Sequence, residues 1–192
     1  MNTPAAATVS GRSMDGRRIV WGLVAFGVLA AAGAWLWHYS QVAQAREFWG
    51  PANIDLLHSA ETVKAWRLDS PDAAPENRPS TRLIFDGKTY ATLGERDLLK
   101  TSGFDYVRRA LAQDFCYIWD ATPDVGAANW THVVEFRKGD AKLTIVFDLK
   151  SHVLKALETG KAVVMKPRMV AFFQEFFDAR FGLTTPRPGG VP

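Results

Sequence analysis

The sequence predicts an α+β fold, in which one N-terminal transmembrane helix is followed by a small antiparallel sheet packed with helices. Three patterns lead to this prediction: a long uncharged stretch near the N-terminus, short segments of alternating hydrophobicity joined by glycine-containing turns, and a Phe-rich amphipathic segment after them. Hydrophobic residues make up 47% of the 192 residues and aromatic residues 12%, which is enough to build one folded core after the apolar stretch.

The first element is the uncharged stretch at residues 19–37. As a helix that rises about 1.5 Å per residue it is roughly 28 Å long, close to the ~30 Å hydrocarbon thickness of a bilayer. Aromatic side chains favour the two membrane interfaces. They stand near both ends of this stretch: Trp21, Trp35, Trp37 and Tyr39. Residues 17–39 are therefore predicted to be a membrane anchor that contacts lipid.

Basic residues set the predicted orientation of this anchor. Arg17 and Arg18 adjoin its N-terminal end, whereas the other end is followed only by His38 and, later, by Arg46 beside Glu47. Basic residues are retained on the cytoplasmic side of a membrane span. The sequence therefore predicts an inner (plasma) membrane protein with a cytoplasmic N-terminus and a periplasmic or otherwise extracytoplasmic C-terminal domain.

A cleaved signal peptide is the alternative to the anchor. The A-x-A pattern at residues 43–45 suits a cleavage site, and cleavage there would release a secreted domain that begins near Arg46. However, the apolar part of a signal peptide is usually only about 7–15 residues long. Trp35 and Trp37 also stand where small, polar residues are expected. A signal anchor that stays in the chain is therefore favoured.

The anchor divides the chain into five predicted segments. Gly50-Pro51 is expected to end the helical tendency that follows the anchor, and three prolines make residues 69–81 a loop. The predicted segments are a cytoplasmic tail at 1–16, the anchor at 17–39, a stalk at 40–51, an exported α+β domain at 52–182 and a disordered tail at 183–192.

Turn and alternation signals place the first elements of the domain. Asp86-Gly87 between two apolar runs favours a hairpin, because both central residues of its turn take positive φ. Ser102 is predicted to cap a helix over residues 103–113. The other predicted elements are a short helix at 53–58, a strand at 61–68 with Trp66 and Leu68 on one face, and hairpin strands at 82–85 and 89–93.

The clearest alternation lies in residues 131–149. Val134 and Phe136 point to one face of the first strand, and Glu135 and Arg137 point to the other. The second strand repeats the pattern with a shared apolar face of Leu143, Ile145, Phe147 and Leu149. The segment is predicted to be an antiparallel hairpin with one buried face. Two further short strands are predicted at 152–157 and 161–165.

The Phe-rich segment is predicted to be a helix that Pro167 opens and Gly182 closes. Its apolar half can cover the sheet as core, lie on a membrane surface, or bind a partner. The core interpretation is favoured, because the polar face is acidic whereas membrane-surface helices are basic there. If part of the apolar half is exposed instead, it provides a patch for a protein partner.

Composition and motifs exclude several function classes. Apart from its basic N-terminus the chain has nearly balanced, interspersed charges, which is a poor basis for nucleic-acid binding. Cys116 alone makes neither an internal disulfide nor a thiolate metal site, and it is expected to be a buried apolar residue. The sequence lacks the GxSxG, Walker A, GxGxxG and HExxH patterns. No catalytic, cofactor-binding or metal-binding residue is predicted, and His132 and His152 are expected to be neutral and partly exposed.

The predicted function is that of an extracytoplasmic binding or accessory domain on a single-pass anchor, as a subunit of a membrane complex with a protein partner. Four aromatic residues are the candidate partner surface: Trp119, Trp130, Phe173 and Phe177. The alternatives are a membrane-tethered enzyme with an unidentified site and a cleaved secreted domain. A deep pocket with perturbed acid–base residues would favour the enzyme.

Overall fold

The computed structural model describes residues 16–40, 42–69, 82–85 and 87–182. These residues divide into two compact units, one within Met1–Ser40 and one within Gln41–Pro192. The predicted cytoplasmic tail lies outside the described residues except for its last position, as does the predicted disordered tail. The predicted proline-rich loop is also outside them, apart from Asp69.

The N-terminal unit contains one helix, α1 (Gly16–Ser40). Its segment Ile19–Trp37 is long and apolar enough to cross a membrane by length and composition, and a signal sequence near an N-terminus would meet the same criteria. Within the unit no side chain of this segment is buried. The predicted apolar N-terminal helix is therefore confirmed as a helix.

The second unit contains an eight-stranded antiparallel sheet, larger than the small sheet that the sequence predicts. Its strands are β1 (Thr62–Leu68), β2 (Arg82–Phe85), β3 (Lys88–Asp97), β4 (Tyr117–Ile118), β5 (His132–Lys138), β6 (Ala141–Asp148), β7 (Val153–Ala156) and β8 (Ala162–Met165). Their spatial order is β2-β3-β1-β5-β6-β7-β8-β4. Seven strands match predicted segments, and only the two-residue β4 has no counterpart in the sequence analysis.

The predicted antiparallel hairpin is formed by β5 and β6. Val134 lies opposite Ile145 and Phe136 opposite Leu143, and all four side chains are buried in one core. Glu135 lies opposite Thr144 on the other face of the sheet. The predicted alternation is confirmed, but both faces of the hairpin carry buried residues, because Val133 and Val146 belong to a second apolar cluster.

Helices cover one face of the sheet through a shared core. They are α2 (Ala43–Trp49), α3 (Pro51–Ser59), α4 (Phe104–Leu111) and α5 (Pro167–Phe181). The α5 helix begins at Pro167 and ends at Gly182, whose φ of 75° is the left-handed conformation that glycine adopts without strain. Phe173 and Phe177 of α5 are fully buried, which confirms that this helix serves as core.

Most of the predicted stalk at residues 40–51 is α2, which packs into the core of the second unit. Ala45 is fully buried, and the Trp49 indole donates a hydrogen bond to the Leu111 carbonyl at 2.7 Å. The Asp114 carboxylate accepts the backbone N–H groups of Gln44 and Ala45 at 3.2 and 2.5 Å. These partners are distant in the sequence, so local pattern could not reveal them.

The predicted Ser102 cap of α4 is also wrong. The residue that precedes the first turn of α4 is Gly103, with φ of 82°, and no side chain caps the helix. The Ser102 carbonyl instead accepts a hydrogen bond of 2.6 Å from the Arg180 guanidinium of α5. This side-chain contact joins the segment before α4 to α5, and it leaves the first turn of α4 without a side-chain cap.

Candidate functional site

The face of the sheet opposite the helices carries a groove of ≈ 680 Å³. Strands β1, β5 and β6 form its floor, β2 contributes Leu83–Phe85, and the turn after β7 contributes Leu157 and Glu158. A volume of this size is typical of small-molecule sites. Because side chains of neighbouring antiparallel strands lie directly opposite one another, the floor can be described as rows across the strands.

The first row, called the apolar row, consists of Trp66, Val133 and Val146, which lie opposite one another on β1, β5 and β6. The side chains of Leu83 and Phe85 pack against the same cluster from β2. The Trp66 indole is held by a 3.1 Å hydrogen bond from its Nε1 to the Glu95 carboxylate. One end of the groove is therefore apolar, with an oriented indole ring in its wall.

The second row, called the middle row, consists of Lys64, Glu135 and Thr144. Lys64 is paired with Glu95 of β3 at 2.7 Å. The Thr144 backbone N–H donates to the Glu158 carboxylate at 2.7 Å. Thr144 as a whole residue is 6% exposed, and its Oγ1 has no hydrogen-bond partner among the described residues.

The third row, called the cationic row, consists of Thr62, Arg137 and Lys142. Arg137 and Lys142 lie directly opposite each other, an arrangement that is unfavourable for like charges. Glu135 relieves it, because its carboxylate accepts from the Arg137 Nε at 2.5 Å and lies 3.3 Å from the Lys142 Nζ. The Glu135 side chain is 13% exposed, whereas those of Arg137 and Lys142 are 54% and 45% exposed.

The ion pairs hold the groove residues in their charged forms. Burial raises the pKa of Glu135, but hydrogen bonds from Arg137 and Lys142 outweigh it and leave that pKa below its ordinary value. The hydrogen bond from Lys64 lowers the pKa of Glu95, and the same bond raises the pKa of Lys64. None of these shifts brings a group toward neutral pH, where a general acid or base works best.

Three groups with strongly shifted pKa values lie in the core rather than in the groove. Burial lowers the pKa of His132 to about 4 and raises the pKa of Cys116 to about 12. Burial also raises the pKa of Tyr117, whose hydroxyl donates to the Leu111 carbonyl at 2.6 Å. The expected burial of Cys116 is confirmed. His132 was predicted to be partly exposed, but it is 4% exposed, because its ring stacks on Phe177 at 4.4 Å.

The candidate partner surface does not assemble as one exposed patch. Phe173, Phe177 and Trp130 are buried, the first two in the helix-covered core and Trp130 in the cluster beneath the groove face. Trp119 is partly buried, and its ring packs against Tyr117 and Phe48. These aromatic residues stabilise the fold, since Phe and Trp contribute large buried areas.

The residues of the predicted membrane anchor all lie within α1. Trp21, Trp35, Trp37 and Tyr39 are exposed, and the rings of Trp35 and Tyr39 stack with 5.9 Å between centroids. Arg17 is exposed in the first turn, and the side chain of Arg18 is outside the described residues. Among the residues that the structure describes, no three His, Cys, Asp or Glu side chains are placed to hold a metal ion.

The sequence analysis did not single out the groove as a site. It placed Glu135 and Arg137 on the polar side of β5, and alternation along β6 puts Lys142, Thr144 and Asp148 opposite its apolar face, but nothing local indicated that Lys64 of β1 would join them. The available signal was this polar face of the β5–β6 hairpin, which combines four charged residues with a threonine. Comparison of the chain with protein-family models, curated proteins and solved structures finds no match.

Proposed function

We propose that the chain is a single-pass membrane protein with a cytoplasmic N-terminus and an extracytoplasmic domain that acts as a binding or accessory module in a membrane complex. The observation that carries the proposal is the groove on the face of the sheet opposite α2–α5. It combines an apolar row, a cationic row and an unpartnered buried hydroxyl, which are the features of a recognition site. The length and composition of Ile19–Trp37 support the anchor.

The ionisation of the groove favours binding over catalysis. Its carboxylate Glu135 and its cations Lys64 and Arg137 are stabilised in their charged forms. Such groups attract and orient a ligand, but they do not exchange protons near neutral pH. The membrane-tethered enzyme is therefore the less supported alternative.

The packing of α2 bears on the cleavage alternative. Cleavage after Ala45 would remove a fully buried residue and both N–H groups that donate to Asp114. The remaining domain would begin inside α2. It would keep Trp49 in the core but would lack the first turn of this helix. This arrangement supports retention of the anchor.

Cysteine labelling of intact cells tests the topology. Lys100→Cys places a thiol at an exposed position of the domain, and Ser13→Cys places one before the anchor. Native Cys116 gives little background, because it is buried and its pKa is raised to about 12. We expect a membrane-impermeant maleimide to label Lys100→Cys in intact cells and Ser13→Cys only after permeabilisation.

Mass measurement and alkaline carbonate extraction complete the test. The expected result is full-length protein in the membrane pellet. The reverse labelling pattern would contradict the orientation. A soluble product shorter by about 45 residues would replace the anchor with a cleaved signal peptide.

A further inference from the structure

We propose that the groove binds an amphipathic anion, with an alkyl or aryl chain against the apolar row and a carboxylate or similar head group at the cationic row. The inference rests on the proposed function, because it assigns a ligand class to the same site. It uses the polarity of the three rows, the exposure of the charged side chains and the unpartnered hydroxyl of Thr144.

The charges at the cationic row favour an anionic head group. The single carboxylate of Glu135 serves both Arg137 and Lys142 and lies largely covered, while the two cations remain about half exposed. Lys64, also about half exposed, lies in the adjacent row, where Glu95 already neutralises it at 2.7 Å. Arg137 and Lys142 are therefore the two cations that share one carboxylate. The side chains that line the groove carry three cations and two carboxylates, and the second carboxylate, Glu158, is hydrogen-bonded to the Thr144 backbone. A ligand anion would complete the neutralisation of two opposed cations.

The middle row offers a hydrogen bond to the same head group. Thr144 lies between the cationic row and the apolar row, and its Oγ1 is buried and has no partner among the described residues. A buried hydroxyl without a partner is unfavourable, so native structures rarely retain one. An acceptor oxygen on the ligand that reaches this hydroxyl would satisfy it.

The apolar end of the groove indicates that the rest of the ligand is hydrophobic. Trp66 and Val133 form its floor, and Leu83 of β2 forms its side. Val133 and Arg137 are four residues apart on β5, which corresponds to about 14 Å along an antiparallel strand. A chain of medium length therefore reaches from the head group at Arg137 to the indole of Trp66.

Photo-cross-linking of the full-length protein tests this ligand class. The probe is decanoate with a diazirine at the end of its chain, added to protein in nanodiscs of zwitterionic phosphatidylcholine. Cross-linked peptides are mapped by mass spectrometry. We expect labelling of the peptides that contain Trp66, Leu83 and Val133, and we expect excess decanoate to compete more strongly than decanol or decyltrimethylammonium. Labelling of α1 by probe dissolved in the lipid serves as the internal reference.

Variants of the protein measure separately what the two cations and the Thr144 hydroxyl contribute to binding of the head group. Arg137→Gln/Lys142→Gln removes two groove cations, and we expect binding to weaken at least ~10-fold. Its matched control is Lys100→Gln/Lys150→Gln, which removes two exposed cations outside the groove and should change binding less than ~2-fold. Thr144→Val removes only the unpartnered hydroxyl, and we expect ~3- to 10-fold weaker binding with the fold intact. This variant keeps the test decisive if the double variant does not fold.

The outcomes distinguish this inference from the proposed function. Equal competition by decanol would overturn the anionic head group and leave the groove as a binding site. Labelling of α1 without labelling of any groove peptide would overturn the amphipathic ligand class altogether. Neither result changes the topology, which the maleimide and carbonate measurements decide independently.

Discussion

The two faces of the sheet use the same strands but are built in different ways. On the helix-covered face, Val134, Phe136 and Ile145 pack with the helices in one continuous core. On the opposite face a smaller apolar cluster forms one end of the groove, and charged side chains form the other end. Neighbouring residues of β5 therefore have separate roles. One set supplies folding free energy through buried apolar area, and the other leaves polar groups available to a ligand.

The largest difference in stability between the two faces is expected when two adjacent residues of β5, one on each face, are truncated to alanine. Phe136→Ala removes a fully buried ring from the helix-covered core and should lower the free energy of unfolding by about 3–5 kcal/mol. Arg137→Ala is the matched change on the groove face and should cost less than ~1 kcal/mol, because its ion pair with Glu135 is partly solvent-exposed. Urea unfolding of the full-length protein in nanodiscs measures both values.

Similar losses for the two variants would contradict the division of roles between the faces. A large loss for Arg137→Ala alone would make the groove network a main source of stability instead. Near-UV circular dichroism of the folded variants checks that each retains the native packing.

The next prediction concerns His132, which points to the helix-covered side of β5 and stacks on Phe177 of α5. Burial, followed by the charge of Arg67, lowers its pKa from 6.5 to about 4. Between these values the unfolded chain binds a proton that the folded domain does not, so stability is complete above about pH 6.5 and falls as the pH drops toward 4. The expected loss from this group is up to about 3 kcal/mol.

His132→Phe isolates this contribution. The variant keeps a ring against Phe177 and has no titratable group, so we expect a smaller loss of stability between about pH 6.5 and 5 than in the native protein. Unfolding midpoints across that range measure the difference. His58 and His152 are present in both proteins, and their contributions cancel. An unchanged pH dependence would show that His132 is not the group responsible.

A smaller effect is expected where α2 joins the helix-covered face. Asp114→Ala removes the acceptor of the Gln44 and Ala45 N–H groups and should cost about 1–2 kcal/mol. We expect faster hydrogen exchange in residues 43–49, so that this segment approaches the behaviour of the stalk that the sequence predicted. Asp120→Ala, at an exposed loop position, is the control and should leave that exchange unchanged. Equal exchange in both variants would show that Ala45 and Trp49 hold α2 without the carboxylate.

Most of the secondary structure followed from local pattern. Alternation along β5 and β6 identified both strands and their inward faces, and Pro167 and Gly182 marked the ends of α5. Errors arose where a distant partner decides the outcome. Residues 43–49 resemble a helical extension of the anchor, but their burial depends on Leu111 and Asp114. Burial of His132 likewise depends on a helix that begins more than thirty residues later.

The candidate site was less predictable than the fold, because its residues come from four strands and a turn. Glu135 and Arg137 were visible as a polar face, but a polar face is also what an ordinary solvated strand presents. The opposition of Arg137 to Lys142 depends on strand register, and Thr144 is hydrogen-bonded through its backbone to the turn after β7. Sequence spacing does not encode these relationships directly.

The sequence by itself determined the apolar N-terminal helix, the hairpins and the amphipathic character of α5, because hydrophobic periodicity and turn residues act over short distances. Only the tertiary structure decided that α2 belongs to the domain, that the aromatic candidates Trp130, Phe173 and Phe177 are buried, and that a groove with three cations lies opposite the helices. The physical reason is that burial and charge pairing depend on which segments contact each other. These contacts are determined by the pairing of strands that are distant in the sequence.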